Sequence, residues 1–139
     1  MDKEFDKWNK KKISLQKRNI KHYVKKRQFW LYYVWMNLWN EESKKDPFIR
    51  PCLVINNYLK WDLILIVPLT TKFNKNLEDI FYKIDWDKYS LDKDSYLLLN
   101  QFKVISKKRL IRKIKKWDKS VLIENNEFLD IVEILKNFI

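Results

Sequence analysis

A chain of 139 residues without a single glycine has to make every reversal of direction with residues that carry a Cβ. Average usage of about 7% would supply roughly ten glycines at this length. Positive-φ positions are therefore expected at Asn and Asp, which tolerate the left-handed region better than other residues with a side chain. The expected corners are Asn56-Asn57, Asn74 to Asn76 and Asn125-Asn126. The same absence rules out Gly-rich phosphate-binding loops, since nothing else lets the backbone approach a phosphate so closely.

Between those corners the apolar residues fall into short runs. FWLYYVWMNLW, CLVINNY, DLILIVPLT, DIFYKIDW and SYLLLNQFKVI, spread over residues 29–105, predict strands of a small β-barrel or sandwich. From Asn126 to Ile139 the spacing of Phe128, Leu129, Ile131, Val132, Ile134, Leu135 and Phe138 predicts a helix that closes the core. Residues 106–116 read as a short basic helical turn. Residues 1–28 are polar and basic, with Trp8, Ile13, Leu15, Ile20, Tyr23 and Val24 spaced for an amphipathic helical arm. The length and a 46% hydrophobic content suit one core. The expected organisation is mainly β with helices: an arm over 1–28 and a folded domain over 29–139.

Charge is lopsided, at a formal +12. Residues 1–28 carry 11 basic and 3 acidic side chains, residues 103–119 carry 9 and 1, and the remainder is net acidic. Two basic zones suit a polyanion better than a small acidic substrate. The lone Cys52 cannot form an internal disulfide, and the chain opens without a secretory leader pattern. The longest apolar runs fall short of the roughly 20 residues a membrane-spanning helix needs. The expectation is a cytoplasmic protein with no membrane span.

Familiar catalytic kits are missing. No Cys or His cluster has zinc spacing, His22 lies in the basic arm, and Asp85 and Asp87 flank Trp86 as an ordinary solvated strand would place them. No metal or other cofactor is expected. Trp30, Trp35, Trp39 and Trp61 are too regularly mixed with aliphatics for a base-stacking platform and read as core or dimer interface, and Cys52 sits within an apolar run as a buried thiol would. RNA, unlike DNA, supplies its own nucleophile in the 2′-hydroxyl, so positioning and charge stabilisation can carry much of its cleavage. A planar guanidinium grips two phosphoryl oxygens at once, which an ammonium cannot do with the same geometry. Only five of the 30 basic residues are arginines. Arg50, before Pro51 and the apolar run Cys52 to Ile55, therefore stands out, although a surface ion pair with Asp46 or Glu42 would also account for it.

RPCLVINN at 50–57, LILIVPLTTK at 63–72 and LLLNQFKVISKKRL at 97–110 together resemble the MazF/PemK family of toxins from type II toxin–antitoxin systems. That family has Arg-Pro before a strand, a strand ending in Pro-x-Thr-Thr/Ser, and a strand ending in Gln, a basic residue and Thr-Ile-Asp before an Arg-Leu pair. The resemblance covers residues 30–139. It implies an SH3-like small barrel with added helices, a homodimer, a cognate acidic antitoxin, and metal-independent cleavage of single-stranded RNA to a 2′,3′-cyclic phosphate and a 5′-hydroxyl. It assigns catalysis to Arg50 and Thr70, and RNA contact to Thr71, Lys72, Asn56, Gln101 and Lys103.

This sequence departs from the family pattern at several points. NEESKKDPFI at 40–49 replaces the usual Gly-rich loop, and Asn100 stands where many members carry an acidic residue. A carboxylate base is thus absent there. Val104-Ile105-Ser106 replaces Thr-Ile-Asp, with Ser106 able to cap as aspartate would. Other readings of the residues are a non-catalytic RNA-binding or topoisomerase-poisoning protein on the same barrel, and a ribosome-associated basic protein. Metal-free RNA cleavage distinguishes the first reading from these.

Overall fold

The computed structural model describes residues 23–34, 49–58, 60–85, 89 and 94–139. In chain order the elements are β1 (Phe29–Tyr33), β2 (Ile49–Tyr58), β3 (Leu63–Thr70), β4 (Phe81–Ile84), β5 (Ser95–Leu98), β6 (Lys103–Ser106), β7 (Leu110–Lys113), β8 (Lys115–Lys116), β9 (Lys119–Ser120) and the helix α1 (Asn125–Leu135). Short 3-10 turns span Lys75–Ile80, Leu99–Gln101, Lys107–Arg109 and Lys136–Phe138. The mainly β class with a C-terminal helix is the one the apolar spacing predicts. The basic helical arm lies outside the described residues over 1–22. Residues 23–28 form no helix, and Val24 and Gln28 are buried in the domain.

Seven strands make one antiparallel sheet in the order β4-β5-β3-β2-β1-β7, with β6 also on β3. The centre of this sheet is apolar on both faces because successive strand residues point to opposite sides. Cys52, Val54, Ile64 and Ile66 join Trp30, Tyr32, Ile105 and Leu110 in one core. Leu53, Ile55, Val67 and Leu69 join Phe29, Ile84, Leu97 and the helix residues Phe128, Ile131 and Leu135 in the other. Burying each of those helix side chains contributes about 1.5–3 kcal/mol. Tyr89 ties down the start of α1: its hydroxyl accepts from the Glu124 N–H at 3.2 Å and donates to Glu127 Oε2 at 2.5 Å.

β3 serves two partners. Its first half, Leu63 to Ile66, pairs with β6, and Leu69 and Thr70 pair with β5. Pro68 lies between these two ladders, where a residue without a backbone N–H interrupts neither. The hydrogen-bonded ladder does not close into a barrel among the described residues, yet the sheet curls strongly. Flat strands would hold β6 and β1 about 14 Å apart, three spacings of roughly 4.8 Å. Instead Lys103 Nζ lies 5.6 Å from the Tyr32 ring centroid. The three-residue turn Lys107–Arg109 links β6 to β7, with Ser106 Oγ accepting from the Lys108 N–H as its cap. Helix over all of 106–116 is not what forms: after those three residues the chain enters β7, because Leu110 and its neighbours complete the second core on β1.

Among the described residues the positive-φ positions are Arg27, Trp117 and Asp118: one is an aspartate, as expected, and none is at the expected asparagine corners. Asn56 and Asn57 lie within β2 beside a bulge, Asn74 caps a 3-10 turn through its side chain, and Asn125 begins α1. Arg27 is held by the hydrogen bonds of its own backbone to Val54 and Ile123 and of its Nε to the Ile123 carbonyl. Tertiary bonds of about 1 kcal/mol each offset a left-handed cost of about 1–2 kcal/mol. Trp117 and Asp118 form the two-residue loop of the β8–β9 hairpin, a loop that demands positive φ at both positions. Replacing them with the Asn-Gly pair such a loop prefers should therefore stabilise the protein by about 1–2 kcal/mol, seen as a melting temperature a few degrees higher. Trp117 is 88% exposed, so little packing is sacrificed.

Candidate functional site

The registers place five residues on one face of five neighbouring strands. Leu110 opposes Tyr32, Tyr32 opposes Arg50, and Thr70 opposes Tyr96. The β2–β3 ladder ends with Cys52 opposite Pro68, and Arg50 and Thr70 each lie two residues beyond that pair. Arg50 and Thr70 share the face of Cys52 and Tyr32, at the end of the β2–β3 pair. Arg50 is exposed, with Nη1 donating to the Ile49 carbonyl at 3.1 Å. Thr70 is half-buried, and its Oγ1 accepts from the Lys72 N–H at 3.1 Å. That bond orients the hydroxyl while leaving its own proton to donate.

Beneath the row is a dry floor. Tyr32 and Cys52 are buried, and burial pushes both their protons to be held more tightly than usual, for Tyr32 with a smaller push from Cys52 and against the pull of Arg109 and Arg50. Around this floor stand three cations. Lys103 reaches over the Tyr32 ring, and its ammonium is destabilised first by burial and then by Arg109. Arg109 Nε donates to the Tyr33 carbonyl at 2.8 Å, and its Nη2 is buried without a hydrogen-bond partner. Burial lowers the Arg109 pKa, against the opposing influence of Tyr32. Like charges packed over an apolar floor are costly unless an anion joins them.

Of the residues singled out from the sequence, the structure sets Arg50 and Lys103 around Tyr32, and the strand parity puts Thr70 on the same face of the sheet. Thr71 and Lys72 are exposed just past the end of β3. Gln101 is exposed at the end of the 3-10 turn between β5 and β6. Asn56 is not brought to this group. The register shifts between Val54 and Asn56, so Asn56 pairs with Leu65, on the α1 side of the sheet. The bulge turns Asn57 to the Arg50 side instead, where its amide donates to the Val24 carbonyl at 2.7 Å. Asp46, Glu42, His22 and Asp87 lie outside the described residues. Reading the sequence missed Tyr32 and Arg109, although the latter belongs to the Arg-Leu pair at 109–110 that carries part of the resemblance. Among the described residues no three His, Cys, Asp or Glu side chains form a metal-holding group.

The chain is 36% identical over 100 residues to an endoribonuclease MazF of Staphylococcus epidermidis, covering 70% of this chain and 83% of that one. It is 33% identical over 93 residues to an endoribonuclease MazF of Staphylococcus saprophyticus, covering 65% and 78%. The fold is similar to Mycobacterium tuberculosis toxin MazF-mt6, with a TM-score of 0.59 at 15% identity over 81% of this chain and 95% of that one. A second solved structure, an Mtb toxin, gives a TM-score of 0.51 at 16% identity over 65% and 92%. A family model described as PemK-like, MazF-like toxin of type II toxin-antitoxin system matches residues 30–132, and the chain belongs to that family.

Proposed function

We propose that this chain is the toxin of a type II toxin–antitoxin pair and an endoribonuclease that cleaves single-stranded RNA without a metal. The observation that carries this reading is the gathering of Arg50, Lys103 and Arg109 around the buried Tyr32, with Thr70 on the same face of the neighbouring strand. In the reaction the 2′-oxygen bonds to phosphorus and the bond to the 5′-oxygen breaks, giving a 2′,3′-cyclic phosphate and a 5′-hydroxyl. Arg50 grips two non-bridging oxygens, where negative charge develops, and Thr70 donates to one of them. The 2′-hydroxyl proton passes to solvent and the departing 5′-oxygen takes one from solvent, while Lys103, over the Tyr32 ring, adds its charge to the phosphate site. Thr71, Lys72 and Gln101 border the path of the strand. The +12 charge supports an acidic antitoxin that competes for the same cations. In this reading the protein is a cytoplasmic homodimer.

Cleavage of a short RNA should proceed in EDTA and leave a cyclic phosphate; strict dependence on magnesium would overturn the mechanism. Arg50→Lys keeps the charge but loses the fork, so single-turnover cleavage should slow by about 30- to 1000-fold with the melting temperature unchanged. Wild-type-like cleavage by the folded variant would remove Arg50 from the chemistry.

Lys103 gives a prediction of opposite sign for stability and activity. The folded state binds its proton less tightly than the unfolded chain does. Its contribution to stability therefore rises with pH between its lowered value and the ordinary lysine value, and the charge is a burden at neutral pH. Lys103→Met should melt higher than wild type at pH 7, lose that difference as the pH approaches 10.5, and cleave RNA poorly.

The arm supplies a further test. Because Val24 and Gln28 are buried in the domain, the segment to remove is 1–22, with eight basic and three acidic residues. If it engages phosphates, its deletion should weaken RNA binding and flatten the salt dependence, the slope falling by about 0.7 for each phosphate no longer neutralised. An unchanged slope would assign the segment another role.

A further inference from the structure

Beyond the phosphate-binding cations, the same edge of the sheet carries an aromatic group. Tyr96, the cross-strand partner of Thr70, is stacked on Phe73 with ring centroids 4.9 Å apart and 24° between planes. Phe81 meets both rings edge-on, at 5.3 Å from Phe73 and 6.0 Å from Tyr96. Phe73 follows Thr70 by three residues and keeps 45% of its surface in solvent. A phenylalanine that only pins a loop gains most by burying its ring; this one is braced from below and left open above.

We infer that Phe73, braced by Tyr96 and Phe81, is a stacking platform for one RNA base beside the phosphate held at Arg50 and Thr70. This rests on the proposed RNA-cleaving function and names a base subsite for it. Two features of the edge select the occupant. Tyr96 lies two strands from Arg50 on the same face of the sheet, about 10 Å away at the usual strand spacing, which is within the reach of one nucleotide from phosphate to base. Lys72, exposed next to Phe73, stands between the platform and Thr70 in sequence and offers its charge to the intervening backbone. An unpaired base has an open π-face whatever its identity, so the platform holds the strand in place without demanding one sequence.

The test uses short single-stranded RNAs made uncleavable by 2′-O-methylation, each with 2-aminopurine at one position, because stacking on an aromatic ring quenches that base. Wild type should quench one position in the set and bind about 5- to 150-fold more tightly than Phe73→Ala, the range expected for a single base stacked on an aromatic ring. Phe73→Leu, which keeps apolar packing on Tyr96 but has no π-face, should behave like Phe73→Ala, and Phe73→Trp should behave like wild type. Melting temperatures recorded alongside separate stacking from loop anchoring. Quenching that persists in Phe73→Ala, or full affinity in Phe73→Leu, would overturn the platform. So would unchanged RNA binding accompanied by a loss of antitoxin binding alone, an outcome that makes the rings a protein-docking surface. Failure of the cleavage reading is told apart by Arg50→Lys, which should lose cleavage while still quenching the probe.

Discussion

The antiparallel pairing of β2 with β3 is the interaction on which the rest of the molecule depends. Both strands are apolar on both faces, so the pair is soluble only when covered twice, by α1 and β5 on one side and by the curled edges β6, β7 and β1 on the other. The need to cover the second face bends the sheet until Lys103 reaches Tyr32. Polar residues are tolerated only where this double burial ends. Arg50 and Thr70 sit at that boundary, on opposite strands, with their backbones fixed by the ladder and their side chains beyond the apolar interior.

A floor of low polarity changes what the cations above it can do. Arg109 and Lys103 are each destabilised by burial, and nothing among the described side chains neutralises the pair. In water two such charges would be well solvated and bind a phosphate weakly. Over Tyr32 and Cys52 the same charges act through a weaker dielectric, so an anion entering the group gains more than it would at an open surface. The folded state carries that cost in the absence of RNA, which is the usual relation between a prepared site and stability.

Much of this was legible in the sequence because short continuous apolar runs and a 3.6-period terminal run report burial directly. The strands at 49–58 and 63–70 and the helix from 125 are of that kind. What was not legible follows from features without a local signature. The bulge at Ile55 shifts which asparagine faces the site, and no residue type announces it. Lys107 to Lys113 look like a solvated basic helix, but their conformation is decided by the place of Leu110 in a distant core. Positive φ at Arg27 is imposed by the partners that hold its backbone, not by the residue's own preference. Tyr32 enters the site as the cross-strand partner of Arg50 and Arg109 through its bond to the Tyr33 carbonyl, long-range pairings that spacing along the chain cannot express.

The lack of glycine also bears on how the site is framed. The resemblance implies a glycine-rich loop between the first strands; here the corresponding stretch, 40–49, has charged and bulky residues instead. Side chains on every loop residue reduce the conformational freedom of the unfolded chain, so ordering a loop costs less than it would for a glycine-rich one. The same holds for the β3–β4 connection, where Asn74 accepts from the Asn76 N–H and Phe73 packs on Tyr96. A connection fixed in this way sets Thr70, Lys72 and the aromatic group in one arrangement before any ligand arrives. Binding then need not spend free energy on ordering the protein, and what remains is the cost of ordering the flexible RNA strand itself.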